Sequence, residues 1–140
     1  MKRVLALAAV AALTGGAFAV LAVVAAAHTA RYESTVTIDF QRGHGSQNDI
    51  FSGRVSSEKV RCERHRRVTV RRRLAGPDQL VGTAITDRDG HWEVQQDGTP
   101  TGTYFAKAKR KFLERTSNHK HICKPDISDD LTVRHGNPKP

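Results

Sequence analysis

From Ser34 onward the chain alternates apolar and polar positions, and outside its first residues no stretch carries the period of an amphipathic helix. In STVTIDF, Val36, Ile38 and Phe40 share one face and Thr35, Thr37 and Asp39 the other, which predicts a half-buried strand. Turn formers QRGHGSQND follow, then a strand over 50–56 with Phe51, Gly53 and Val55 on its apolar side. A polar connection, 57–65, leads to RVTVRRRL, where Val68, Val70 and Arg72 share one face and Arg67, Thr69, Arg71 and Arg73 the other. Three arginines on one side can only face water or an acidic partner.

After the turn at Ala75-Gly76-Pro77-Asp78, VGTAITDRDGHWEV predicts a β-hairpin with arms 79–86 and 91–96. Asp89-Gly90 supplies the bend, because this dipeptide tolerates the positive φ of a tight turn. A sixth strand spans 102–112, a long loop 113–128, and a seventh strand 130–134. Seven short strands with turn signals at this spacing predict an all-β domain, a single antiparallel Greek-key sandwich. Its core would draw on Phe51, Val55, Val68, Val70, Ile85, Trp92, Val94 and Tyr104.

The start of the chain belongs to a different regime. Met1-Lys2-Arg3 is basic, residues 4–27 are almost unbroken apolar sequence, and Ala25-Ala26-Ala27 places small residues where a signal peptidase reads them. Residues 1–27 are therefore expected to form a signal helix cleaved after Ala27, with cleavage after Ala30 or retention as an anchor as alternatives. Residues 28–33 follow as a flexible lead-in, 34–134 as the domain and 135–140 as a disordered tail. Export implies an oxidising, extracytoplasmic compartment, which favours pairing the only two cysteines, Cys62 and Cys123. A bridge closing a loop of about 60 residues stabilises a small domain by on the order of 4 kcal/mol in the chain-entropy model.

The order FSGRVSS, Cys62, RRVTVRRR, VGTAITDRDGHWEV, GTYFAKA, Cys123 and LTV resembles the carboxypeptidase regulatory-like, or transthyretin-like, β-sandwich, and is similar to a group of small secreted actinobacterial proteins. The resemblance spans about Phe51 to Val133. It implies that Thr86, Asp87, Gly90 and Trp92 define a corner of the fold, and that Gly102 and Tyr104 form the Gly-x-Tyr of a later strand. It also implies an accessory module, since the enzymatic member of this fold, a hydroxyisourate hydrolase, carries a terminal Tyr-Arg-Gly-Ser where this chain has Gly136-Asn137-Pro138-Lys139-Pro140.

Candidate chemistry is sparse. His119, His121 and Cys123 alternate in HKHIC, and imidazole with thiolate suits zinc or copper, but a cysteine held in a disulfide is no thiolate ligand. Asp87-Arg88-Asp89-Gly90 opens like a calcium loop, yet Gly98 stands where that loop needs its final Glu, so turn chemistry accounts for it. Serines and histidines sit in no nucleophile context. We expect no metal, cofactor or catalytic residue, with a small hydrolase or metal-dependent enzyme using His119 and His121 as the alternative.

Charge changes the picture most. The chain holds 23 Lys and Arg against 14 Asp and Glu, a formal charge of +9. One cluster gathers Arg61, Arg64, Arg66, Arg67, Arg71, Arg72 and Arg73, and another Lys107, Lys109, Arg110, Lys111 and Arg115. If their strands adjoin, Arg66, Arg67, Arg71, Arg72, Arg73, Lys107, Lys109 and Lys111 would form a face for an anionic cell-surface polymer. With few aromatics beyond the core, sequence-specific nucleic-acid recognition is not expected.

Overall fold

The computed structural model describes residues 27–44 and 47–135. Of the expected signal segment at 1–27, residues 1–26 lie outside the described residues, as does the expected tail from Gly136. The twelve strands found there are β1 (His28–Tyr32), β2 (Thr35–Val36), β3 (Asp39–Gln41), β4 (Asp49–Ser56), β5 (Arg67–Arg72), β6 (Gln79–Ile85), β7 (His91–Gln96), β8 (Gly102–Ala108), β9 (Lys111–Arg115), β10 (His119–Cys123), β11 (Asp126–Ile127) and β12 (Leu131–Val133). One short 3-10 turn, Val60–Cys62, interrupts them. The domain is all-β, as alternation predicts, but its strands fall into three sheets.

In the first sheet β4 pairs with β7 on one side and with β2 and β3 on the other. The predicted strand over 34–40 is interrupted at Thr37–Ile38, although its register against β4 is the same on both sides of the break. The reason lies across the pair at Gly53, where a Cβ would sit 2.1 Å from the Thr37 carbonyl oxygen; only glycine permits this approach. In the second sheet β5 is central, flanked by β6 and β8, and the far edge of β8 carries both β11 and β12.

The hairpin is a correction. Its two arms do not form a ladder with each other: β6 pairs with β5, and β7 pairs with β4, in the other sheet. What survives is the corner. Asp87 Oδ1 accepts the backbone N–H of Asp89 at 2.8 Å and of His91 at 2.9 Å. Gly90 has φ +82°, and a side chain there would strike the Val55 carbonyl oxygen. Beyond the corner the arms stack face to face, with Val94 seated on Gly82, where a Cβ would meet its Cγ1 at 2.3 Å. The same geometry overturns Ile85 as a core residue. It is 54% exposed, because Ala84 and Gly82 take the inward positions of β6.

The remaining expected core residues are buried and join Val36, Ala106, Ala108 and Val133 in one cluster shared by the two sheets. The Phe51 and Tyr104 rings, one from each sheet, lie 4.7 Å apart between centroids. Burial raises the Tyr104 phenol pKa, against a smaller opposing effect of Arg72.

The third sheet was not legible locally. β1 runs parallel to β10, which pairs antiparallel with β9. The expected lead-in at 28–33 and much of the expected loop at 113–128 are thus strand, and the long sixth strand divides into β8 and β9. The lead-in finds its backbone partner in β10, 91 residues away, which its own composition does not signal. Cys62 and Cys123 form a disulfide with Cα atoms 5.4 Å apart, joining the 3-10 turn to the end of β10.

Beside this bridge lies Arg66, only 1% exposed. Its guanidinium donates from Nε to the Lys109 carbonyl (2.9 Å), from Nη1 to the Cys62 carbonyl (2.9 Å) and Ser34 Oγ (3.1 Å), and from Nη2 to the Lys124 carbonyl (2.8 Å). Its backbone N–H donates to Thr86 Oγ1, and its carbonyl accepts the Thr86 N–H. Burial lowers its pKa, and the nearby Asp126 carboxylate partly offsets that. This one side chain therefore binds segments of all three sheets.

Two outcomes follow. Removing a buried charge's hydrogen-bonding side chain leaves its carbonyl acceptors dry, so Arg66→Ala should lower the unfolding free energy by about 3 kcal/mol or more in urea titration, and Arg66→Lys, which cannot span all four acceptors, should lie between it and the parent. For Asp87, desolvation pushes the carboxyl up, but the amides of Asp89, His91 and Gly90 together with the His91 charge outweigh it, and the pKa sits below its ordinary value. A depressed carboxyl stabilises the fold above its unfolded pKa of about 3.9 and loses that contribution as pH falls through the folded value. Asp87→Asn should accordingly flatten the acid limb of a stability-versus-pH curve while leaving its shape above pH 5, roughly a unit clear of that transition, unchanged.

Candidate functional site

Strand alternation decides which arginines reach solvent. Val68 and Val70 face the core, so Arg67, Thr69, Arg71 and Arg73 project from the opposite face of the second sheet. Pairing aligns β8 beside them: Lys107 stands opposite Thr69, Phe105 opposite Arg71, and the Lys109 N–H donates to the Arg67 carbonyl at 2.9 Å, extending the ladder by one residue. The two basic clusters that the sequence separates by some 40 residues are thus neighbours on one surface, as proximity of their strands would require.

The eight candidate residues divide into unlike groups. Arg66 is buried and its donors are occupied, so it is removed from any binding surface. Arg72 points to the other side, packing on Gly102, where a Cβ would lie 2.9 Å from its Nε. Arg73 is held in place: its Nε donates to both Asp130 carboxylate oxygens at 2.8 and 2.9 Å, Asp78 lies 3.8 Å away, and its guanidinium sits 4.2 Å from the Phe105 ring centroid. Lys111 donates its Nζ to the carbonyls of Arg61 and Arg64. Burial, then the Arg66 and Arg61 charges, lower its pKa.

Arg67, Arg71, Lys107 and Lys109 remain. None forms an ion pair among the described residues. Arg71 donates only to the Asp78 carbonyl, at 3.1 Å. Like charges brought opposite each other across a strand pair repel, so the juxtaposition of Arg67 and Lys109 carries a cost that no neighbouring carboxylate relieves. In their midst is Thr69, 5% exposed, whose hydroxyl has no hydrogen-bond partner. Three of these cations also stand in register with an exposed aliphatic side chain: Arg67 with Ile85, Arg71 with Leu80, Lys107 with Ile127. Periodicity signalled the outward face; only the pairing of β5 with β8 completed it.

The histidines lie in the third sheet. Parallel pairing sets His28 beside His119 and Ala30 beside His121. The His28 ring meets that of His119 edge-on at 4.5 Å between centroids, and His28 Nε2 is 3.2 Å from His121 Nε2. His28 was invisible as a partner in sequence because 91 residues separate it from His119. Among the described residues, no three side chains of His, Cys, Asp and Glu are set to hold a metal ion by themselves. Nor is any helix there long and apolar enough to cross a membrane.

No protein-family model matches the chain, and no curated protein matches it.

If Arg73 is structural and the four unpaired cations are not, single substitutions should separate them. Arg73→Ala is expected to lower stability by about 1 kcal/mol through its carboxylate pair and ring contact, whereas Lys109→Ala should be neutral or slightly stabilising. Thermal denaturation of both variants at low salt reads the difference directly.

Proposed function

We propose that this chain is an exported, non-enzymatic binding module of the transthyretin-like Greek-key class, and that the outward face of β5 and β8 binds anionic polymers at or outside the cell surface. The observation that carries this reading is the set of cations Arg67, Arg71, Lys107 and Lys109 gathered on one face of β5 and β8 with no ion-pair partner among the described residues. Cations without carboxylates are suited to a phosphate or sulfate group, which would remove the Arg67–Lys109 repulsion. Two residues along a strand span about 7 Å, so the row of cations presents charge at intervals that suit a repeating polyanion rather than one small anion. The disulfide supports an oxidising compartment.

Heparin serves as the probe. The protein should be retained near 50 mM salt and released as ionic strength rises, because counterion release drives such binding. The triple variant Arg67→Ser, Lys107→Ser, Lys109→Ser should elute earlier and lower the slope of log affinity against log salt by about two to three, roughly one per cation removed. The Arg72→Ser variant, altered on the opposite face, should keep the parent slope. Absence of retention at low salt, or an unchanged slope in the triple variant, overturns the reading.

A further inference from the structure

Where β5 ends, on the side away from the polyanion face, the start of β6 and the connection from β7 to β8 line a cavity of about 340 Å³. Arg72 closes β5 there, in register with Gln79 on β6 and Tyr104 on β8. Alternation turns it to the same side as Val68 and Val70, past the last core position of the strand. Gly102 makes room for it: its φ of +120° suits glycine, and a Cβ there would lie 2.9 Å from the Arg72 Nε. The guanidinium is thus seated against main chain at the cavity wall. Beside it the Tyr104 phenol donates to the Thr101 carbonyl at 3.0 Å, tying the connection to β8.

Asp97 lines the same cavity from the connection. Among the described residues neither Arg72 nor Asp97 forms an ion pair, with the other or with any third group. Val81, which packs against the core, and Pro100 add apolar surface. A lone anion in this space would meet Asp97, and a lone cation would meet Arg72. A molecule carrying both charges gives each residue its opposite. The volume is near the lower end of the roughly 300–1,000 Å³ of ligand sites, which suits one small molecule. We propose that the cavity binds a free α-amino acid with an apolar side chain: Arg72 takes the carboxylate, Asp97 the ammonium, and Val81 and Pro100 the side chain. The planar guanidinium matches both oxygens of a carboxylate, so Arg72 sets the orientation. The inference stands apart from the polyanion reading, which uses none of these residues.

The full chain, titrated with leucine and followed by its amide resonances, should trace a one-site isotherm with a Kd of about 1 mM or below. N-acetylleucine lacks the ammonium and leucinamide lacks the carboxylate; each should bind about tenfold more weakly or worse, having lost one charge-assisted contact. Arg72→Ser and Asp97→Asn should weaken leucine binding by a similar factor. Each variant should also lose one distinction: Asp97→Asn no longer separates leucine from N-acetylleucine, and Arg72→Ser no longer separates leucine from leucinamide. Damage to the fold would not produce that crossed pattern. Asp97 is exposed, so Asp97→Asn keeps the test open if Arg72→Ser disturbs the packing on Gly102. Absence of saturation at about 10 mM leucine, equal binding of leucine and either analogue, or parent-like leucine affinity in both variants overturns the proposal. The Arg67, Lys107, Lys109 variant should bind leucine as the parent does, so failure of the polyanion reading leaves a distinct signature.

Discussion

A charged guanidinium buried beside a disulfide is the constraint on which the rest of this domain depends. Arg66 can stay inside only because its donors meet the Lys109, Cys62 and Lys124 carbonyls and the Ser34 hydroxyl. Those acceptors come from four separate segments: the link between β8 and β9, the 3-10 turn, the residue after β10, and the approach to β2. A lysine could not satisfy them together, since its donors radiate from one nitrogen rather than from a planar fork. Burying Arg66 therefore requires all three sheets to be in place at once. The Cys62–Cys123 bridge closes the same neighbourhood covalently, so the two constraints act on one junction.

From that junction outward, the second sheet separates two chemistries by strand alternation alone. Inward positions of β5 and β8 include Val68, Val70, Tyr104, Ala106 and Ala108, which join Phe51, Val55 and Trp92 of the first sheet in one core cluster. Outward positions carry cations whose stems lie beside Ile85, Leu80 and Ile127, so aliphatic exposure on this face is shared with long basic side chains. The Asp87 corner lets one chain serve both layers, delivering β6 to the second sheet and β7 to the first. The third sheet stands apart from this division, and its first strand brings His28 to the histidines of β10.

Much of this was readable from the residues. The alternation in STVTIDF and RVTVRRRL fixed which side chains turn inward, the Asp-Gly dipeptide marked a real corner, and the two cysteines form the expected bridge. Ile85 was misread because a period of two says only that neighbours face opposite ways; a two-residue turn placed its arm in one sheet, whereas the actual pairing with β5 sends Ala84 inward and Ile85 out. Arg66 was misread for a related reason. Composition ranks arginine as a surface residue, and nothing nearby in sequence announces the distant carbonyls that make its burial tolerable.

By itself, then, the sequence determined the local matters: extended conformation, the faces of individual strands, the bend at Asp89-Gly90, the excess of positive charge and the pairing of its two cysteines. The tertiary structure alone decided which strands became partners, that Arg66 is interior while Arg67 and Lys109 are set side by side, and that His28 meets His121. Those outcomes depend on hydrogen-bond registers between segments up to about 90 residues apart, and a register is a relation between two strands that neither one carries in its own pattern.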